Sequence, residues 1–102
     1  MFGLFNKGYK SISPKEAKNS MDNDKCVVLI DVRTPNEYKS AHIPKSISLP
    51  LNNINSGILK VASNKDTTLI IYCQSGARAS SACKGLVKMG YTNIRNLGGI
   101  MS

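Results

Sequence analysis

Tryptophan is absent from this 102-residue chain, histidine occurs once, and only six residues are aromatic. The stacking platform of a single-strand nucleic-acid binder is therefore missing, because none of the six sits in a basic cluster. Cysteine is scarce and odd in number. Cys26, Cys73 and Cys83 form no C-x-x-C pair and, with His42 as the lone histidine, no zinc-ligand set. Neither a disulfide framework nor a structural metal is expected. No apolar run exceeds the five residues Cys26–Ile30, far short of a membrane span. The start, Met1–Phe5, lacks the basic and long apolar stretches of a secretion signal. A reducing cytoplasm is the expected compartment, and no membrane partner is expected.

Acidic residues are few as well: six Asp and Glu face fourteen Lys and Arg, for a net charge of +8. Eleven of the fourteen cations are lysine, never more than two in a row. That balance attracts small anions without building a nucleic-acid footprint. The length fits one domain with one core. Residues 1–9 read as an N-terminal arm and 10–102 as a single domain, expected to be a monomer.

Short apolar runs alternate with helical patterns, which predicts an α/β fold on a parallel sheet. Ser13-Pro14-Lys15-Glu16 and Thr34-Pro35-Asn36-Glu37 both read as capping boxes with proline at the first helical position. They start helices reaching about Met21 and Ser40. Strands are expected at Tyr9–Ile12, Cys26–Asp31, Ser46–Leu49, Thr67–Tyr72 and Asn93–Leu97, with Gly98-Gly99 as a turn. Asn53–Ala62 reads as a helix that Gly57 weakens by about 1 kcal/mol. Ala79, Ala82, Cys83 and Leu86 lie on one face of a helix expected over Ala79–Met89 and stopped by Gly90.

The chemistry concentrates in Cys73-Gln74-Ser75-Gly76-Ala77-Arg78, which leaves the strand Thr67–Tyr72 and enters that helix. Ligands of open α/β sheets bind outside the carboxyl ends of the strands, where Cys73 lies. A helix N-terminus offers unpaired N–H groups and partial positive charge. A loop curled there aims N–H groups at one point and makes an anion nest. Gly76 permits the backbone angles such a curl needs. Arg78 adds a permanent charge. The thiolate is the reactive form of cysteine, and this loop favours it without a histidine base. Cys73 is the expected nucleophile, Arg78 its charged partner, and Gln74, Ser75, Gly76, Ala77 and Arg78 the expected substrate-binding residues.

Around that loop stand Leu29-Ile30-Asp31-Val32-Arg33, Pro35-Asn36-Glu37-Tyr38, His42-Ile43-Pro44, Leu49-Pro50-Leu51, Gly90-Tyr91 and Leu97-Gly98-Gly99-Ile100. In this order, over about residues 10–100, they resemble the single-domain rhodaneses, thiosulfate sulfurtransferases. The resemblance implies a rhodanese-like α/β fold, a five-stranded parallel sheet flanked by helices on both faces. It implies a sulfurtransferase in which Cys73 takes the outer sulfur of thiosulfate or a persulfide donor and passes it to a thiophilic acceptor. The implied partners are a small anionic sulfur donor and a protein or thiol acceptor, and the implied chemistry needs no metal or organic cofactor. An alternative within the same fold is a persulfide carrier or regulatory sulfur-binding module with little small-molecule turnover. Related phosphatases space the pair as Cys-x5-Arg, whereas Arg78 follows Cys73 after four residues, a smaller ring suited to a sulfur atom. The sequence departs from the family pattern at Ala41, commonly glycine, at Ala79, often serine, and in having no tryptophan after Gly98-Gly99.

The remaining polar residues read as structural. Asp31 with Arg33 is expected as an ion pair or turn contact, Arg33 with Glu37 as a local pair, and His42 as a hydrogen-bonding spacer. Cys83 and Cys26 are expected to fill the core, and direct disulfide formation between Cys83 and Cys73 to need rearrangement.

Overall fold

Ser13 and Thr34 each accept a hydrogen bond from the amide three residues on, and Glu16 and Glu37 in turn accept one from the cap amide. Each cap is worth about 1 kcal/mol. Fully burying one Leu or Ile contributes about 1.5–3 kcal/mol, so packing decides the fold and the caps set its boundaries. The computed structural model describes residues 8–100, so residues 1–7 of the expected N-terminal arm lie outside the described residues. In chain order the elements are Tyr9–Ser11 (β1), Pro14–Asn23 (α1), Val28–Asp31 (β2), Pro35–Ser40 (α2), Ile47–Ser48 (β3), Ile54–Val61 (α3), Leu69–Cys73 (β4), Ala77–Lys88 (α4) and Ile94–Gly99 (β5).

The five strands form one sheet in the order β1-β5-β4-β2-β3, and every neighbouring pair is parallel. All five residues of β4 are buried, as its central place requires. Alternation along the strands divides the core. Ile30, Leu69, Ile71, Cys73 and Ile94 face α3 and α4, meeting Ile58, Ala79, Ala82, Cys83 and Leu86. Leu29, Ile70 and Tyr72 face the other way, toward Ala17 of α1. Helices thus flank both faces. Gly57 sits inside α3 because a side chain there would run into Leu49.

Four expectations are corrected. The helix expected from Ala79 starts at Ala77, because Gly76, at φ 109°, turns the chain in one residue and caps it. Gly98-Gly99 is not a turn but the end of β5, where a bulge places Leu97 as the extra residue between two aligned stretches. The helix expected from Asn53 begins as a 3-10 turn over Leu51–Asn53 before α3. Cys26 does not fill the core: it is exposed in the turn before β2, its amide tied to the Asp24 carboxylate.

Candidate active site

Cys73 is the last residue of β4, and only Gln74, Ser75 and Gly76 separate it from α4. Its Sγ accepts hydrogen bonds from the amides of Gly76 (3.0 Å) and Ala79 (3.3 Å). Ala79 is the third residue of α4, and Gly76 has no side chain with which to cap the helix. The sulfur does the work of an N-cap side chain, so helix N-terminus and thiol are built around one another. The thiol is fully buried within the α3/α4 core cluster. Ser75 and Ala77 are exposed, and Gln74, Gly76 and Arg78 are half-buried. Among the described residues the amides of Ser75, Ala77 and Arg78 have no hydrogen-bond partner, which leaves them available to an anion.

Gly99 fixes the loop from outside. It pairs with Cys73 across the β4–β5 ladder, and Ile100 donates its amide to the Cys73 carbonyl at 3.0 Å. A methyl group at Gly99 would lie 2.6 Å from the Gln74 carbonyl oxygen and 2.7 Å from the Ser75 carbonyl carbon. Those are backbone atoms with no rotamer to yield. Gly99→Ala is therefore expected to displace the loop and cut the activity of Cys73 at least about tenfold, since a misplacement of about 1 Å costs that order or more. Activity within twofold of wild type, measured beside a thermal melt, would show that the loop accommodates the methyl group.

Arg78 occupies the first turn of α4, not a loop. Its Nη1 donates to Glu37 Oε1 at 2.7 Å and its Nη2 to Oε2 at 3.0 Å. This replaces the expected Arg33–Glu37 pair, because Arg33 is already taken. Its Nε and Nη2 hold the Asp31 carboxylate at 2.8–3.1 Å, fully buried. Tyr72 donates its hydroxyl to the same carboxylate at 2.7 Å, and burial first of all keeps that phenol above its ordinary pKa. Arg33 also donates to the Ala41 carbonyl (2.6 Å), and Tyr72 accepts the Ile43 amide (3.1 Å). The Asp31 network thus straps residues 41–43 to the sheet, the structural role expected of it. His42 ties the same segment to α2 instead, its Nδ1 2.7 Å from the Tyr38 carbonyl and its ring stacked on Tyr38.

The hydrogen bonds from Arg78, then those from Thr34, bring the Glu37 carboxyl down to about 2 from its ordinary 4.5. A lowered acid pKa means the pair's contribution is complete above pH 4.5 and fades as pH falls toward 2. The melting-temperature gap between wild type and Glu37→Gln is expected to narrow over that window. A gap independent of pH would contradict the pairing. Burial, with the charge of Cys73 adding to it, pushes the Cys83 thiol up to about 12. Cys83 stays a protonated core residue, the role expected of it.

A cavity of about 470 Å³ opens beside Arg78 in the first turn of α4, lined by Val32, Arg33, Thr34, Pro50, Leu51, Asn52 and Arg78. Sequence reasoning placed neither Glu37 nor Gly99 in the site. Glu37 meets Arg78 across 41 residues, a contact without local signal, whereas the doubled glycine beside a strand pattern was a signal for close backbone approach.

A profile of the rhodanese-like domain matches residues 13–102. The thiosulfate sulfurtransferase PspE of Escherichia coli is 35% identical over 71 residues, covering 70% of this chain and 68% of that protein. A solved structure described as rhodanese with anions from E. coli superposes with a TM-score of 0.70 at 32% identity, covering 74% of this chain and 94% of that one. A putative sulfur carrier protein of Bacillus subtilis, YrkF, is 30% identical over 86 residues, covering 84% of this chain and 45% of that protein.

Proposed function

Because the chain belongs to the rhodanese-like family and is a rhodanese-type sulfurtransferase, we propose that it moves sulfane sulfur by way of a persulfide on Cys73. The observation that carries this reading is the pair of backbone amides on the Cys73 sulfur at the head of α4. Donors fixed in the backbone stabilise negative charge on sulfur without reorganising during the reaction. In the first step the Cys73 thiolate attacks the outer sulfur of thiosulfate. The new Cys73 S–S bond forms, the donor's S–S bond breaks, and sulfite departs with that electron pair. In the second step a thiophilic acceptor such as cyanide attacks the outer sulfur of the persulfide. Thiocyanate leaves and the Cys73 thiolate returns, with no net redox change. The amides from Gln74 to Arg78 hold the donor anion, and Arg78 supplies charge beside it. No metal or organic cofactor enters these steps. The reading keeps the expectation of a monomer acting in a reducing compartment, the cytoplasm.

A second reading has its own support. The fully buried Cys73 and the sulfur carrier relative favour a protein that holds sulfur for a partner. Turnover with thiosulfate and cyanide, compared with transfer from the loaded protein to a thiol acceptor, separates the two. Many turnovers per protein are expected. Loading of one sulfur followed by release only to a protein or thiol acceptor would establish the carrier.

A further inference from the structure

The cavity beside the first turn of α4 carries two cations on its wall, Arg33 and Arg78, and neither is free. Arg33 holds the buried Asp31 carboxylate through Nε and Nη2. Arg78 holds Glu37 through both terminal nitrogens. Glu37 in turn is anchored on its own helix, its Oε1 accepting from the Thr34 amide (2.9 Å) and hydroxyl (3.0 Å). It sits in the first turn of a proline-started helix, which fixes where its carboxylate points. The Glu37 and Arg78 side chains keep 29% and 33% of their exposure, so solvent and its anions reach both members of the pair. Arg78 also lies close enough to Cys73 and Arg33 for their charges to act on it.

A site meant to draw in highly charged anions leaves its cations uncompensated. Here each guanidinium on the cavity wall is matched by a carboxylate, and anion recognition falls to the backbone amides of the loop. Amide donors respond weakly to the second charge of a dianion, whereas an unpaired cation responds strongly. We propose that Glu37 is a specificity-determining positioning residue: by clamping both terminal nitrogens of Arg78 it biases the site toward singly charged sulfur donors, such as hydropersulfides and thiosulfonates, and against the dianion thiosulfate. The inference rests on Cys73 as the sulfur-bearing nucleophile.

Thiosulfate and methanethiosulfonate test this directly, because both present an outer sulfur on a sulfonyl centre and differ by one charge. Cys73 thiolate takes that sulfur from either; sulfite leaves in the first case and methanesulfinate in the second, each carrying off the electron pair of the broken S–S bond. Single-turnover loading is followed by intact-mass analysis at several donor concentrations. The quantity read is the ratio of loading efficiencies, thiosulfate over methanethiosulfonate. Glu37→Gln, which keeps the hydrogen-bonding shape of the capping box, is expected to raise that ratio about fivefold. The gain appears in half-saturating thiosulfate concentration rather than limiting rate, and shrinks as salt is added. Arg78→Gln, leaving Glu37 unopposed, lowers the ratio below wild type. The double variant Glu37→Gln/Arg78→Gln returns it near the wild-type value, and tests the same charge rule should Glu37→Gln alone fail to fold. A merely structural role would lower both donors together and leave the ratio unmoved, which would overturn the inference. Loading of the wild type by neither donor would instead remove the Cys73 reading, and this inference with it.

Discussion

Replacing Cys73 by serine is expected to abolish sulfur transfer while the protein stays folded. Serine neither ionises near neutral pH nor forms a persulfide, so neither half of the reaction survives. Its hydroxyl still accepts from the Gly76 and Ala79 amides that now cap on the sulfur. Burial is the cost: the position is sealed in the core, and a hydroxyl there replaces a more apolar thiol. With two donors already aimed at it, the penalty is on the order of 1 kcal/mol, or about 4–8 °C in melting temperature for a domain this size. A thiosulfate:cyanide assay beside a thermal melt checks both halves of the expectation. Activity above about 1% of wild type would place the nucleophile elsewhere.

The second large effect is on stability. Asp31→Ala leaves the Arg33 guanidinium buried without its carboxylate and removes an acceptor from Tyr72. Breaking a buried pair from one side costs about 3–5 kcal/mol, against a total stability of about 5–15 kcal/mol for a typical domain. The melting temperature is expected to fall by about 12 °C or more. Asp31→Asn, which keeps acceptor geometry without the charge, falls less. The function should fail along with the fold, because this network ties residues 41–43 to the strand that delivers Cys73. A drop of less than about 4 °C for Asp31→Ala would mean that water or a shifted side chain compensates Arg33.

The features legible in the sequence are those whose causes are local. Ser13 and Glu16, or Thr34 and Glu37, satisfy one another within a single turn, so spelling alone reveals the helix start. Leu69-Ile70-Ile71 announces a strand covered on both faces, and the strand is the sheet's centre. Cys73 was legible because strand, cysteine, glycine and helix follow in sequence. The start of α4 was not, since Ala77 and Arg78 carry no apolar periodicity and only the left-handed Gly76 decides the boundary. Cys26 precedes four apolar residues and so resembles a core residue, yet the turn at Lys25-Cys26 turns it outward. Glu37 shows the same limit for charge. Spacing favours Arg33 as its partner, but the buried Asp31 claims Arg33 from two residues away, and folding brings Arg78 to Glu37.

The central claim is that sulfur rides on Cys73, and the mass of the protein after exposure to thiosulfate measures it most directly. Reduced protein is treated with thiosulfate, freed of excess reagent without a thiol, and weighed intact and as peptides. The account predicts the gain of one sulfur atom, carried by the peptide containing Cys73, lost again on adding cyanide and never formed in Cys73→Ser. A protein that gains no sulfur from thiosulfate or a persulfide donor, or that carries it on Cys26 or Cys83, would contradict the account.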